Sequence, residues 1–479
     1  MTDREPHTSP RRFGSVSIWI AGGSFIGFAV LLSVLSRMLE AGGITRERAL
    51  AWLASGGLAA GVLYLAGLYR ARVRQVQVAP VWIALVAVLA RLLVAVSPPM
   101  LESDYQRYLW DGAVAASGIS PYRHAPSDVI AGTRQGSDGD RLADLAREAG
   151  PVLTSINHPD LTTIYPPVAQ AAFSAAYIIL PFSPSGLRIL FCLADAATVL
   201  LLVRLLRALA LPAVQIAWFA WNPLLLREVY SSLHMDILLL PLIAAALLAA
   251  IRARGGVATA WLIVASAVKV WPIVLAPLVL RPLFGEWRRL ALTIGACGLL
   301  GTALWLPVLL APHGETSGFL AYGRGWQNND GFFRAGIWLT ERALTAVHLE
   351  PWHSHTIMRL TSAALLGGVL LWQLRTRPSD AASLMNRCLF IVGAIFLLSP
   401  TQFPWYWLWC LPFLTLRPSL PLLLYTALLP IYYVQDQLVY PLSHWLQHAP
   451  VWALLAITGG RTLLGCRARA LGELEVSRA

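Results

Sequence analysis

Residues 14–36 read GSVSIWIAGGSFIGFAVLLSVLS, an apolar run with no formal charge. It is long enough to cross a hydrocarbon core of about 30 Å as a helix. It is also too long for the core of a signal peptide, about 7 to 15 residues, and no small-residue cleavage site follows, so it is expected to stay as an uncleaved anchor. Runs of this kind recur to the end of the chain and give about 12 to 14 spans. Over 479 residues the sequence is 57% hydrophobic and 13% charged, with a mean hydropathy of +0.60, whereas soluble chains carry about 25% charge. A soluble protein is excluded, and no stretch between the runs is large enough for a separate soluble domain. The predicted fold is all-α, a polytopic transmembrane helical bundle with a long outer loop containing short amphipathic helices.

The formal charge of +12 would suggest nucleic acid in a soluble protein. Here the arginines cluster at span ends, as cytoplasmic loops require, so the charge reports topology and no nucleic-acid partner is expected. Arg4, Arg11 and Arg12 precede the first span, and Arg70, Arg72 and Arg74 separate the second from the third. The expected division is 1–97, a cytoplasmic tail and three spans; 98–163, an outer loop; 164–312, a central transmembrane module; 313–355, a second outer loop; and 356–479, the C-terminal transmembrane helices and a short cytoplasmic tail. The loop 98–163 carries nine acidic residues against five arginines, and its turn-rich composition predicts short amphipathic helices rather than a folded domain. In the middle, simple alternation would put His234 and Asp236 inside. That alternation would also put Arg252 and Arg254 outside, against the positive-inside tendency. Two re-entrant or half-length helices reverse it; 257–280, interrupted by Lys269 and Pro272, is a candidate for one of them, and His234 and Asp236 are expected outside. Gly57 and Gly61 form a GxxxG spacing, read as helix packing. The five cysteines show no CxxC spacing and read as small apolar residues rather than a disulfide or zinc framework.

The outer loop opens LESDYQRYLWDGAVAASGISPYRHAP, residues 101–126. Helical spacing places Asp104, Arg107, Tyr108 and Asp111 within an arc of about 100°. A carboxylate at a membrane edge suits a general base, because the apolar boundary disfavours its charged form and raises its pKa toward the working pH. Asp104 lies nearest the span end. The same spacing also fits a surface helix with Arg107 bridging Asp104 and Asp111. Lys269 is the sole lysine among 37 basic residues and sits in an apolar run, where an unpaired charge is expensive. It reads as a phosphate partner or as half of a structural ion pair. WNPLLLREVYSSLHMD, 221–236, sets Asn222, Glu228, His234 and Asp236 among apolar residues, although Asp236 also fits a helix cap. YGRGWQNNDGFFRAGIW, 322–338, offers Arg324, Trp326, Asn329, Asp330 and Arg334; aromatics with amides suit sugar binding and suit a membrane interface equally. His444 and His448 lack a third ligand, and Asp138-Gly139-Asp140 lacks a nucleotide-binding pattern around it, so neither a metal nor a cofactor is expected.

ESDYQRYLWDG and SPYRHAP in the first loop, NHPDLTTIYPP at its end, WNPLLLREVYSSLHMD, VKVWP and LSPTQFPWYWLWCLP together resemble the GT-C superfamily of membrane glycosyltransferases. The likeness is to bacterial polyprenyl-phosphate-dependent mannosyltransferases and related hexosyltransferases, over roughly residues 80–415. The chain departs from many relatives in having two additional spans before the loop. The resemblance implies a GT-C bundle in the bacterial inner membrane, with its site on the periplasmic face. It implies transfer of a hexose, mannose favoured, from a polyprenyl-phosphate donor to a lipid or glycan acceptor, among membrane lipids and without a cofactor. By position in the first large loop, Asp104 would be the base that deprotonates the acceptor hydroxyl while the anomeric carbon inverts. Arg107, Lys269 and Arg324 would meet the lipid phosphate, with His234 assisting there or orienting the acceptor. Asp111, Tyr122, His158, Tyr165, Asp236 and Asn329 would contact sugar or acceptor. The alternative is a transporter or lipid flippase with Lys269 in a midplane site.

Overall fold

A computed structural model describes residues 16–132, 137–312, 314–439 and 441–476, without the side chains of 137 and 460–476. Arg4, Arg11, Arg12, His313 and the side chain of Cys466 therefore lie outside the described residues. Among the described residues every extended element is helical, and the one β-type pairing is an isolated bridge between Asn328 and Thr401. The chain begins with α1 (Val16–Glu40), α2 (Arg46–Val73) and the shorter α3 (Pro80–Ala95). The loop 98–163 holds α4 (Asp104–Ala116), α5 (Pro126–Ile130), α6 (Ser137–Ala149) and α7 (Pro151–Thr154), and α8 (Pro167–Ile179) and α9 (Pro184–Ala208) follow.

Among the described residues six helices are long and apolar enough to cross a membrane: α1, α2, α9, Trp287–Leu309, His353–Leu374 and Ala381–Leu398. Trp287–Leu309 buries only Cys297 and Val308 and turns Leu292 and Leu299 outward at 74% and 73% exposure. Such an outer surface is stable in hydrocarbon and not in water. The chain is a multi-pass membrane protein. The sequence count of about 12 to 14 spans resolves into these six, a pair Pro223–Ser231 and Met235–Ile251 bent by 108°, and the shorter apolar helices α3, α8, Gly255–Ser266 and Trp271–Leu283. Prolines break the runs: Pro272, Pro277 and Pro282 lie within the last segment alone, and each removes a donor and clashes with the preceding turn.

Packing inside the bundle uses close backbone approach and buried polar staples. A Cβ on Gly57 would stand 2.8 Å from Pro430, and one on Gly61 would stand 2.4 Å from the Cα of Ala427. The GxxxG face of α2 thus seats the segment 425–437, as its spacing predicts. Arg91 of α3 and Asp195 of α9 pair at 2.5 Å, and the Tyr230 hydroxyl donates to the same carboxylate; this staple holds the bent pair against two helices. The loop 98–163 differs from expectation in one respect. Its amphipathic helices form, but Trp110, Val114, Ile119, Leu142, Leu145 and Leu153 gather into a small core of their own. Of the cysteines, Cys297, Cys388 and Cys410 are buried, while Cys192 is exposed on α9.

Candidate active site

Breaks in the helices position the polar side chains. After α3 the chain is tied back by Met100 N–H donating to Ser231 O at 3.1 Å. Leu101 then turns through φ 70°, and Asp104 opens α4, where the free N–H groups of the first turn favour an anion. The second contributor is the wide turn after Pro223, in which His234 N–H reaches back to Glu228 O at 2.9 Å and Leu233 has φ 60°. A left-handed leucine is strained, so two such residues stand where Asp104 and His234 are delivered, with His158 (φ 51°) as a third on the cavity wall. The third contributor is the gap between Gly255–Ser266 and Trp271, which exposes Lys269. The fourth is the short 3-10 helix Pro404–Cys410, whose Trp405, Tyr406 and Trp409 form the remaining wall.

These segments enclose a cavity of about 480 Å³, bordered by Glu102, Asp104, Arg107, Asn157, His158, Tyr165, Asp236 and Lys269 on its polar side. Trp271, Tyr322, Trp326, Phe403, Trp405, Tyr406, Trp409 and Tyr432 supply the aromatic side. The Asp104 side chain is 27% exposed, and Asn157 donates to its Oδ1 at 3.4 Å. Burial pushes the Asp104 carboxyl above its ordinary range, while the Asn157 hydrogen bond and the Lys269 charge oppose the shift. Burial pushes the neighbouring Glu102 carboxyl up to about 8, against the pull of Arg227. Lys269 Nζ contacts Asp236 Oδ1 at 2.8 Å and lies 3.8 Å above the Tyr406 ring. Trp409 Nε1 donates to that same oxygen at 2.6 Å, so buried Asp236 carries two donors on one atom and Lys269 is held over an aromatic floor.

The structure brings Asp104, Arg107, His158, Tyr165, Asp236 and Lys269 onto one cavity. Lys269 shows both features weighed in the sequence, an ion pair and an accessible head, being 22% exposed. Arg107 pairs with Asp111 at 2.8 Å and donates to Leu161 O at 3.0 Å, so it bridges forward along α4 and not back to Asp104. Asp111 lies one layer behind, 1% exposed, and also accepts from Gln170. Tyr122 is likewise behind the wall, its hydroxyl donating to Tyr165 O at 2.9 Å. His234 is fully buried and stacks on Trp405 with centroids 3.7 Å apart. Two expected contacts lie elsewhere. Arg324 is exposed, because its helix turns Tyr322 and Trp326, one turn apart, toward the cavity. Asn329 is buried between Gln402 O and Gln447 Oε1, each at 3.0 Å. His448 clamps the same residue, with Nε2 2.8 Å from Asn329 O and Nδ1 3.0 Å from the Tyr425 hydroxyl. Asp138 and Asp140 are exposed on α6, and among the described residues no group of three His, Cys, Asp or Glu side chains gathers for a metal.

Sequence reasoning missed Glu102, Asn157 and most of the aromatic wall as individual site residues. The signal for the wall was present in FPWYWLW, 403–409, where five of seven side chains are aromatic, more than an interfacial belt needs. Neither a curated protein nor a solved structure matches the chain. A family comparison does match, over residues 12–284: the alpha-(1->6)-mannopyranosyltransferase family, N-terminal domain. That region supplies α1 to α9, the loop with Asp104, the turn with His234 and the break at Lys269, more than half of the chain. The chain therefore belongs to the alpha-(1->6)-mannopyranosyltransferase family, membrane glycosyltransferases of the GT-C type.

Proposed function

We propose that the protein transfers mannose from a polyprenyl-phosphate donor to a lipid or glycan acceptor at the outer face of the bacterial inner membrane, with inversion and with Asp104 as general base. The observation carrying this reading is the shared cavity, in which a partly exposed carboxylate at the start of α4 and a held ammonium at Lys269 border one aromatic-walled space. The acceptor hydroxyl gives its proton to Asp104 as its oxygen bonds to the anomeric carbon from the side opposite the leaving group. The bond from that carbon to the phosphate oxygen breaks, and its electron pair leaves with the lipid phosphate, whose charge Lys269 and Arg107 stabilise. The family name gives an α-(1→6) product, so inversion requires a β-linked donor and the acceptor is a primary 6-hydroxyl. His158, Tyr165 and the aromatic wall suit the apolar faces of sugar rings.

Transfer from a labelled polyprenyl-phosphate mannose to membrane-extracted acceptors tests the reading. Asp104→Asn keeps the shape and removes the base, and its rate falls by on the order of 10² to 10⁴. Equal transfer by both proteins removes Asp104 from the mechanism. The broken segment at Lys269 also suits a transporter; scrambling of the lipid in liposomes, with no transfer by wild type, would favour that reading instead.

A further inference from the structure

Behind Asp104 lies a buried relay of side chains that the transfer mechanism above does not use. His234 presents Nδ1 to Asp104 Oδ2 at 3.8 Å and Nε2 to Glu228 Oε2 at 3.5 Å. His234 and Glu228 are both 0% exposed, and neither ring nitrogen has a hydrogen-bond partner within bonding distance. Trp405 covers one ring face with planes 13° apart, so the imidazole cannot swing without losing that contact. Glu228 is held from its far side by the Tyr433 hydroxyl, at 2.7 and 2.9 Å from its two oxygens. The other charges acting on the ring are Arg227 and Lys269, and Glu102 stands near Glu228 and Arg227. The strained Leu233 immediately precedes His234, and strain of this kind persists where surrounding structure holds it for use.

We infer that His234, clamped by Trp405 and Glu228, is a positioning residue that turns an Nδ1 hydrogen toward the Asp104 carboxylate and aims it at the acceptor. The inference rests on Asp104 being the base. It reassigns His234, whose nitrogens face two carboxylates and not the open cavity where a phosphate would sit. Two protons shared by the imidazole and Glu228 suffice. With Glu228 protonated its hydroxyl donates to Nε2, and the neutral imidazole then carries its one hydrogen on Nδ1, toward Asp104. The separations of 3.5 and 3.8 Å are of the kind that close when reactants bind.

Three full-length variants, assayed for labelled mannose transfer across pH, decide the matter. Asn at 234 places an amide donor near the Nδ1 position but cannot stack as the ring does, whereas Phe stacks on Trp405 and cannot donate. Expected for His234→Phe is a kcat lower by roughly 10- to 100-fold with unchanged donor KM, and an acidic limb moved to higher pH, because the carboxylate has lost a donor that favoured its charged form. His234→Asn recovers most of that rate and returns the limb toward wild type. Glu228→Leu, which leaves the ring without its second partner, resembles His234→Phe. If Phe equals or exceeds Asn and the limb does not move, His234 is packing and the inference falls. A raised donor KM in His234→Phe overturns it in favour of phosphate contact. Full activity in Asp104→Asn would instead sink the underlying assignment of the base, so the two failures are distinct.

Discussion

Glu102 and Asp104 share a cavity and both carry carboxyls that burial pushes upward, Glu102 to about 8. In the unfolded chain Glu102 ionises in the ordinary carboxylate range, near 4. Between there and about pH 8 the folded protein holds a proton that the unfolded chain has released, so stability falls as pH rises through that window. Glu102→Gln mimics the protonated acid and removes this dependence. Thermal midpoints of detergent-solubilised protein should agree at the acid end, and wild type should then drop below the variant by the alkaline end; parallel curves would show that Glu102 does not titrate in this way. The Lys269–Asp236 pair makes a separate prediction. Asp236 is 1% exposed, so Lys269→Met strands a buried carboxylate with only the Trp409 donor and costs on the order of 3–5 kcal/mol. Adding Asp236→Asn removes the stranded charge and restores much of the midpoint. Transfer stays low in the double variant if Lys269 serves the phosphate, and returns with stability if the pair is only structural.

The helix carrying Asp104 meets α8 through a close approach at Gly112. A Cβ on Gly112 would lie 2.4 Å from the Phe173 carbonyl oxygen, with Tyr108 stacked on Phe173 at 4.6 Å one turn earlier. Gly112→Ala therefore forces α4 off α8, costing about 1–3 kcal/mol and lowering kcat as Asp104 shifts. Gly367→Ala is the control: it lies inside a helix with nothing within 4 Å of an added Cβ, and gains up to about 1 kcal/mol. A lower midpoint in the control, or an unchanged kcat in Gly112→Ala, would count against this account. Element by element, the sequence made some features readable and hid others. The break at Lys269 was visible because a lone lysine and a proline interrupt an apolar run, and the short loop helices because turn-forming residues punctuate a polar segment. The turn that delivers His234 was not, since LLLREVYSSLHMDILLL, 224–240, contains neither Gly nor Pro and its left-handed residue is a leucine. Tertiary ties from Met100 and Tyr230 hold that turn, and local propensity gives no sign of them. That Arg324 and Asn329 lie off the cavity was hidden for a related reason: composition marks a polar segment but not which of its side chains meet the cavity.

Across the whole molecule the two broken segments bear on an ambiguity that charge counting left open. The chain leaves the cavity at Met235 and Asp236, runs out through Leu240–Ile251, turns at Arg252 and Arg254, and returns through Gly255–Ser266 to Lys269 on the same cavity. His234 and Asp236 therefore share a side with the loop of Asp104, and the arginine turn lies at the opposite end of this hairpin. That arrangement satisfies the positive-inside tendency if the cavity faces outward, because Arg252 and Arg254 then join Arg70, Arg72 and Arg74 in the cytoplasm. Single cysteines in a cysteine-free background test the orientation at three exposed positions, Asp140, Arg74 and Arg254. A membrane-impermeant maleimide applied to intact spheroplasts should label Asp140→Cys at once, and should label Arg74→Cys and Arg254→Cys only after permeabilisation. Labelling of Arg74→Cys and Arg254→Cys first would invert the whole assembly and move the transfer site to the cytoplasm. Labelling of Arg254→Cys together with Asp140→Cys would show that the hairpin dips into the membrane and returns without crossing it, leaving Lys269 in a re-entrant loop.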